Sequence, residues 1–212
     1  MRVGVIQAST RSDINELLFQ SVQKAVKGAH EVVNFGMFPE ETDNFSYVEV
    51  AVMISLLIET QTLDFVVTGC SSGQGMMLAC NSLPGLRCGF IQTPQDAYLF
   101  GRINNGNVAS LPLGLNFGWS GELNLQYTLD KLFEDDFGCG YPKEDAGRKR
   151  QDTDKVVELA TITKRSFIDI LDQLDRNLLR KILLREGFYN DMMMNGKNQL
   201  LLEKLSAIKL TF

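Results

Sequence analysis

The chain has 212 residues, 44% of them hydrophobic and 22% charged, enough to bury a sizeable core but too few for two full domains. Its 21 Lys and Arg against 26 Asp and Glu leave a net charge of -5, the wrong sign for general attraction to nucleic acid or an anionic membrane. The longest apolar run, residues 50–58, is far short of the roughly 20 residues of a membrane span, and the N-terminus MRVGVIQAST carries no secretion signal, so a soluble, cytoplasmic protein is expected. Four cysteines, at 70, 80, 88 and 139, form no close-spaced ligand pairs, which argues against zinc and disulfide frameworks. The single histidine, His30, opens the strand-like segment HEVVNF, where such a residue is more often at an element end than a catalyst.

Short β-branched runs alternate with helical patterns through the first 135 residues, the signature of βα units and a parallel sheet. Strands are expected at 3–7, 31–35, 65–68, 88–91 and 108–111, all apolar enough to be buried on both faces. Between them, Asp13 and Glu16 read as a capping box that starts a helix through Lys27. Further helices are expected over 47–59, 96–102 and 120–133, with a short one after the third strand.

Composition changes after Tyr141-Pro142, which divides the chain into an α/β domain over 1–145 and a helical C-terminal extension over 146–212. In the extension Ile162, Phe167, Ile170, Leu171, Leu174, Leu178, Leu179, Ile182 and Leu183 recur at three- and four-residue steps. That spacing predicts one amphipathic helix that buries its stripe against the α/β core or another subunit. Met192, Met193 and Met194 read as adaptable packing.

The segment richest in chemistry is 64–81, DFVVTGCSSGQGMMLACN: an apolar strand, a turn of small residues, then a helix. Ligands of open α/β sheets bind at such strand ends. Gly69, Gly73 and Gly75 permit close backbone approach, and the N–H groups of residues 71–76 can converge on an anion at the helix start. The same field favours a thiolate at Cys70. A tight turn around a buried cysteine is the plainer alternative. Residues 69–73 also fit the G-x-S-x-G elbow of hydrolases, but no histidine follows to serve the serine. A dinucleotide fingerprint would follow the first strand, where this chain reads QASTRSD.

TGCSSGQGMMLACNSLPGLRC resembles the segment around the catalytic cysteine of ribose-5-phosphate isomerase B and the galactose-6-phosphate isomerase subunits. NFGMFPEETDNFSYVEVA and INNGNVASL are similar to two further stretches of that family, so the resemblance spans residues 1–141. It implies a three-layer α/β/α Rossmann-like fold with a five-stranded parallel sheet and the helical extension appended. It also implies a metal-free, cofactor-free aldose-ketose isomerase acting on a sugar or sugar phosphate through a cis-enediol. Cys70 would be the base that moves a proton between C1 and C2, and Ser72 stands where the family has threonine. Ser71, Gly73, Gln74 and Gly75 would bind substrate around the developing enediolate, and Asn104 and Asn107 match asparagines near the substrate. The family implies a homodimer or dimer of dimers with shared sites.

Two departures bear on the substrate. The family's Asp-His after the first strand is Ala8-Ser9 here, and its second histidine is Ile103, so ring opening by an imidazole is unavailable. Phosphate contacts would be rebuilt from Ser9, Thr10 and Arg11, while Arg148 and Arg150 only loosely match the family's C-terminal arginines. A substrate that is already linear is therefore expected, with a tetrose 4-phosphate favoured. The rivals are a non-catalytic sugar or sugar-phosphate binder on the same fold, and a structural partner protein that works through its helical tail.

Overall fold

The computed structural model describes residues 1–115 and 117–212. Strands β1 (Arg2–Val5), β2 (Glu31–Asn34), β3 (Phe65–Cys70), β4 (Cys88–Phe90) and β5 (Val108–Pro112) are all parallel, in the order β2-β1-β3-β5-β4. Helices α1 (Asn15–Val26), α2 (Tyr47–Glu59), α3 (Gln74–Asn81), α4 (Pro94–Leu99) and α5 (Gly121–Leu132) connect or follow them. The strands alternate between two apolar layers, as the period of two requires. Val3, Val5, Phe65, Val67, Ala109 and Leu111 pack with Leu18 and Val22 of α1 and Leu125 and Leu129 of α5. Val66 and Val108 turn to the other face, toward α2 and α3. The result is the three-layer α/β/α Rossmann-like architecture. From β1 the chain leaves toward one edge of the sheet and from β3 toward the other, so a crevice opens between their carboxyl ends.

Local chemistry sets the element starts. Ser46 and Glu49 form a capping box at the head of α2. Thr93 and Asp96 form another, with Pro94 inside the first turn, so α4 begins two residues ahead of the expected 96. It then gives way to one π-helical stretch, Phe100–Asn104.

The first helix corrects the sequence reading. Residues Ser9–Ile14 form a 3-10 segment, α1 begins only at Asn15, and no side chain caps it. Asp13 pairs instead with Arg11 at 3.0 Å. Buried Asn15 donates to Gln7 and exchanges hydrogen bonds with Asn34, fixing the chain's entry into the helix by contacts that a local pattern cannot show.

The extension is also broken up. It forms α6 (Ala146–Thr163), α7 (Phe167–Ile170), α8 (Arg176–Leu183), α9 (Glu186–Asn195) and α10 (Gln199–Lys209) rather than one helix through 162–183. Ser166 and Asp175 accept backbone N–H groups at the starts of α7 and α8, so each interruption is a capped restart. Phe167, Leu171, Leu179, Ile182 and Leu183 are fully buried in a cluster shared with α2 and joined by Phe188, Met192 and Leu205. Ile162, ahead of the break, is 72% exposed instead. Met192 packs in that core, whereas Met194 faces outward. His30 lies just before β2, its ring centroid 6.1 Å from that of Phe133. Among the described residues no helix is long and apolar enough to cross a membrane.

Candidate active site

Cys70 ends β3 at the crevice, almost buried, and its sulfur accepts the Gly73 N–H at 3.2 Å. The turn behind it is compressed against β5. A Cβ on Gly69 would stand 2.4 Å from the Leu111 carbonyl oxygen. One on Gly73 would meet Phe90 at 2.7 Å, and Gly73 has φ +75 besides, so only glycine fits both positions. The Leu113 N–H donates to Cys70 O, and those of Gly114 and Leu115 donate to Ser71 O. Ser110 Oγ donates to Gly73 O. With the Cys70, Ser71 and Gly73 carbonyls taken, the backbone N–H groups at the head of α3 are left as donors. Gly73 is the N-cap of α3 and offers no side chain, so the N–H groups of Gln74, Gly75 and Met76 begin the helix without an intrahelical acceptor. Ser71 and Gln74 are exposed, and Ser72 and Gly75 half-buried.

The β1 side closes on the same turn. The Ala8 N–H donates to Gly69 O at 3.1 Å. Ser9 and Phe45 exchange bonds: Ser9 N–H donates to Phe45 O, and the Ser9 hydroxyl accepts the Phe45 N–H at 2.7 Å. Arg11 is held by both oxygens of Asp13, and its Nη1 lies where a Cβ on Gly114 would be 2.7 Å away, beside Ser71. Ser9, Arg11, Cys70, Ser71 and Gly114 therefore gather at one end of the sheet. Tyr47, which the sequence reading passed over, borders it too: its ring would be 3.3 Å from a Cβ on Gly75. Its only signal in the sequence is an aromatic residue directly after a capping serine.

The asparagines do not join this group within the chain. Asn107 precedes β5, at the opposite end of the strands from Cys70. Its Nδ2 donates to Gly85 O, and its Oδ1 accepts the Arg87 N–H, so the amide clamps the loop before β4. Asn104 is exposed at the end of the π-helical stretch, on that same side of the sheet. Arg148 is shared by Asp145 and Asp152, and Arg150 donates to the Cys139 carbonyl. Of the remaining thiols, Cys88 is pushed well up by a hydrogen bond with Cys80 and by burial, so it is no nucleophile at neutral pH.

A thiol, a row of backbone donors and a topological switch point lie together at the carboxyl ends of β1 and β3 in a doubly wound α/β fold. The ribose/galactose isomerase family profile matches residues 4–128. The chain belongs to that family and is an aldose-ketose isomerase. It is 36% identical to a 4-deoxy-L-threo-5-hexosulose-uronate ketol-isomerase, solved with a tartrate; 100% of both chains is covered, with a TM-score of 0.94. It is 30% identical to a ribose-5-phosphate isomerase of Vibrio parahaemolyticus, with 98% of this chain and 99% of that one covered and a TM-score of 0.92. A type B ribose 5-phosphate isomerase of Trypanosoma cruzi, 19% identical, shares the fold with a TM-score of 0.63, and 99% of it covers only 76% of this chain. No curated protein matches the sequence.

Proposed function

We propose that this protein isomerises an aldose that is already linear and carries an anionic group at its far end. Cys70 takes the C2 proton and the negative charge passes to O1 as the cis-enediolate forms; the O2 hydroxyl proton then passes to O1, and the thiol returns its proton to C1 as the charge on O2 collapses into the ketone. The N–H groups of the 71–76 turn and the Ser72 hydroxyl stabilise the enediolate oxygens. Thr10 and Arg11 receive the terminal anion, and Asn104 reaches the crevice from a second copy in a dimer with shared sites. The observation that carries the reading is the position of the Cys70 sulfur, at the mouth of the crevice and 3.2 Å from the Gly73 nitrogen within that turn.

The choice of a linear substrate rests on side chains that cannot open a ring. Ile103 has no proton to give, and the Ser9 hydroxyl, an acceptor of the Phe45 N–H, is an alcohol far too weak as an acid or base at neutral pH to replace an imidazole. The substrate named for the 36% identical ketol-isomerase has a ketone at C5 and no hydroxyl at C4, so it cannot close a pyranose or furanose on its aldehyde, and it ends in a carboxylate. A tetrose 4-phosphate has the same two properties, since its O4 is blocked. The uronate is favoured because that relative matches this chain over its whole length.

The test is a panel of the 4-deoxy-5-ketohexuronate, erythrose 4-phosphate, ribose 5-phosphate and galactose 6-phosphate in deuterated buffer. A linear sugar should convert fastest and take up deuterium at the transferred position. If a ring-forming sugar phosphate exceeds both linear substrates in kcat/KM by about tenfold, roughly 1.4 kcal/mol, the ring-opening argument fails. Binding without conversion or exchange would identify a non-catalytic binder.

A further inference from the structure

Residues 35–46, between β2 and α2, contain no helix or strand, yet their last turn holds Ser9 at the crevice. A connection of this length needs anchors to keep one conformation. Gln7, after β1, holds its start by donating to the Gly36 and Met37 carbonyls, and the anchors of its middle come from the far end of the chain. Arg185, just beyond α8, grips Glu41 through Nε and Nη2, and the Glu41 carboxylate also accepts the Phe38 N–H at 2.9 Å. Lys181, in the last turn of α8, donates to Asn44 O and to Glu49 Oε1. Both cations face the Phe45 ring, with Lys181 Nζ 4.4 Å and Arg185 Cζ 5.9 Å from its centroid. The Arg185 and Glu41 side chains retain only 15% and 20% exposure, so water competes weakly for the pair.

We propose that Lys181 and Arg185 are positioning residues for the isomerase site. They brace the 36–46 segment, and through the Phe45–Ser9 exchange they set the end of the crevice that receives the substrate's anionic group. The proposal rests on the functional reading above for what the crevice binds, but the brace itself is a matter of geometry. Its contribution is to substrate binding rather than to proton transfer, because the Cys70 turn is held separately by β5 through Ser110, Leu113 and Gly114.

The full-length protein and its Arg185→Ala, Arg185→Lys, Lys181→Ala and Glu41→Gln variants test this. Two readouts are needed: amide hydrogen exchange across 36–46, and KM against kcat on the best substrate of the panel. Arg185→Ala and Glu41→Gln should each speed exchange at the Phe38 and Phe45 amides about tenfold and raise KM about tenfold, with kcat within threefold of the parent. Arg185→Lys should recover part of both effects. The proposal is overturned if exchange over 36–46 is unchanged, or if kcat falls while KM stays fixed. Glu41→Gln guards against misfolding of the arginine variant, since it keeps the side chain's size. If the parent converts no sugar at all, the functional reading has failed, and hydrogen exchange alone still decides the brace.

Discussion

Ser110 Oγ lies 2.7 Å from the carbonyl oxygen of Gly73, so β5 holds the turn that follows Cys70 on the neighbouring strand. Both groups are buried, and the Gly73 carbonyl also accepts the Met77 N–H at 3.1 Å. Ser110→Ala removes one of its two bonds. A neutral hydrogen bond of this kind is worth about 1 kcal/mol, and if the loosened turn loses as much in the transition state, kcat/KM falls about fivefold. Urea unfolding and steady-state kinetics on the same variant check both figures.

Gly69 tests the compression itself. Any side chain there meets the Leu111 carbonyl, a backbone atom that cannot swing aside. Gly69→Ala should cost about 1–3 kcal/mol through overpacking and push the Cys70 strand away from β5, lowering both Tm and turnover. An alanine variant with parental Tm would show that the turn has room to shift.

The sheet and its helices were legible because buried parallel strands must be short apolar runs, and because Ser46 and Glu49 write a helix start into consecutive residues. Cys70 and the glycines around it were legible for the same reason, lying in one continuous segment. What escaped was decided by contacts across the chain. Asp13 lost its capping role to Arg11 and to the pairing of buried Asn15 with half-buried Asn34. The tail's single stripe became parts of three helices, two of them capped restarts, since packing on α2 rewards turns that no periodicity reveals. Asn107 matches an asparagine near the substrate in the family, and only the fold shows its amide clamping residues 85 and 87. Arg185 and Glu41 stand 144 residues apart, and no pattern in either segment announces the other.

The tail's burial predicts the effect of truncation and of point changes within it. Leu179 and Leu183 are fully enclosed with α2, so Leu179→Ala should cost about 2–5 kcal/mol. Ending the chain near Lys149 would strip the cover from α2 and should yield aggregated protein in light scattering. A truncated chain that stays dispersed with parental Tm would make the tail an appendage.

The thiols should separate cleanly under iodoacetamide at neutral pH. Cys139 is exposed and Cys80 and Cys88 are buried, with Cys88 kept protonated by its hydrogen bond to Cys80 and by burial. In a Cys139→Ser background, loss of activity should follow modification at Cys70 alone, and a bound substrate should slow it. Cys70→Ala should lose about 10²-fold or more in kcat, the scale of a missing general base, with unchanged circular dichroism. Near-parental turnover in that variant would remove Cys70 from the mechanism.

Acid should release the brace at one identifiable carboxylate. Burial works to raise the Glu49 carboxyl, but hydrogen bonds from Lys181 and Ser46 outweigh it and leave its pKa below the ordinary 4.5. A carboxyl depressed in the folded state contributes stability that is complete above its unfolded value and lost as pH falls through the folded one. Glu59 works in the opposite sense: burial alone raises its pKa, so its share of stability grows as the pH drops. A global melting curve would blend the two. Segment-resolved exchange does not, and opening of residues 36–46 should accelerate below about pH 4.5, corrected for the intrinsic pH dependence of exchange. Glu49→Gln should flatten that acceleration and make exchange over 36–46 faster already at pH 7, because its amide cannot pair with the Lys181 ammonium as a carboxylate does. Identical pH profiles in the parent and the variant would show that Glu49 does not control the segment.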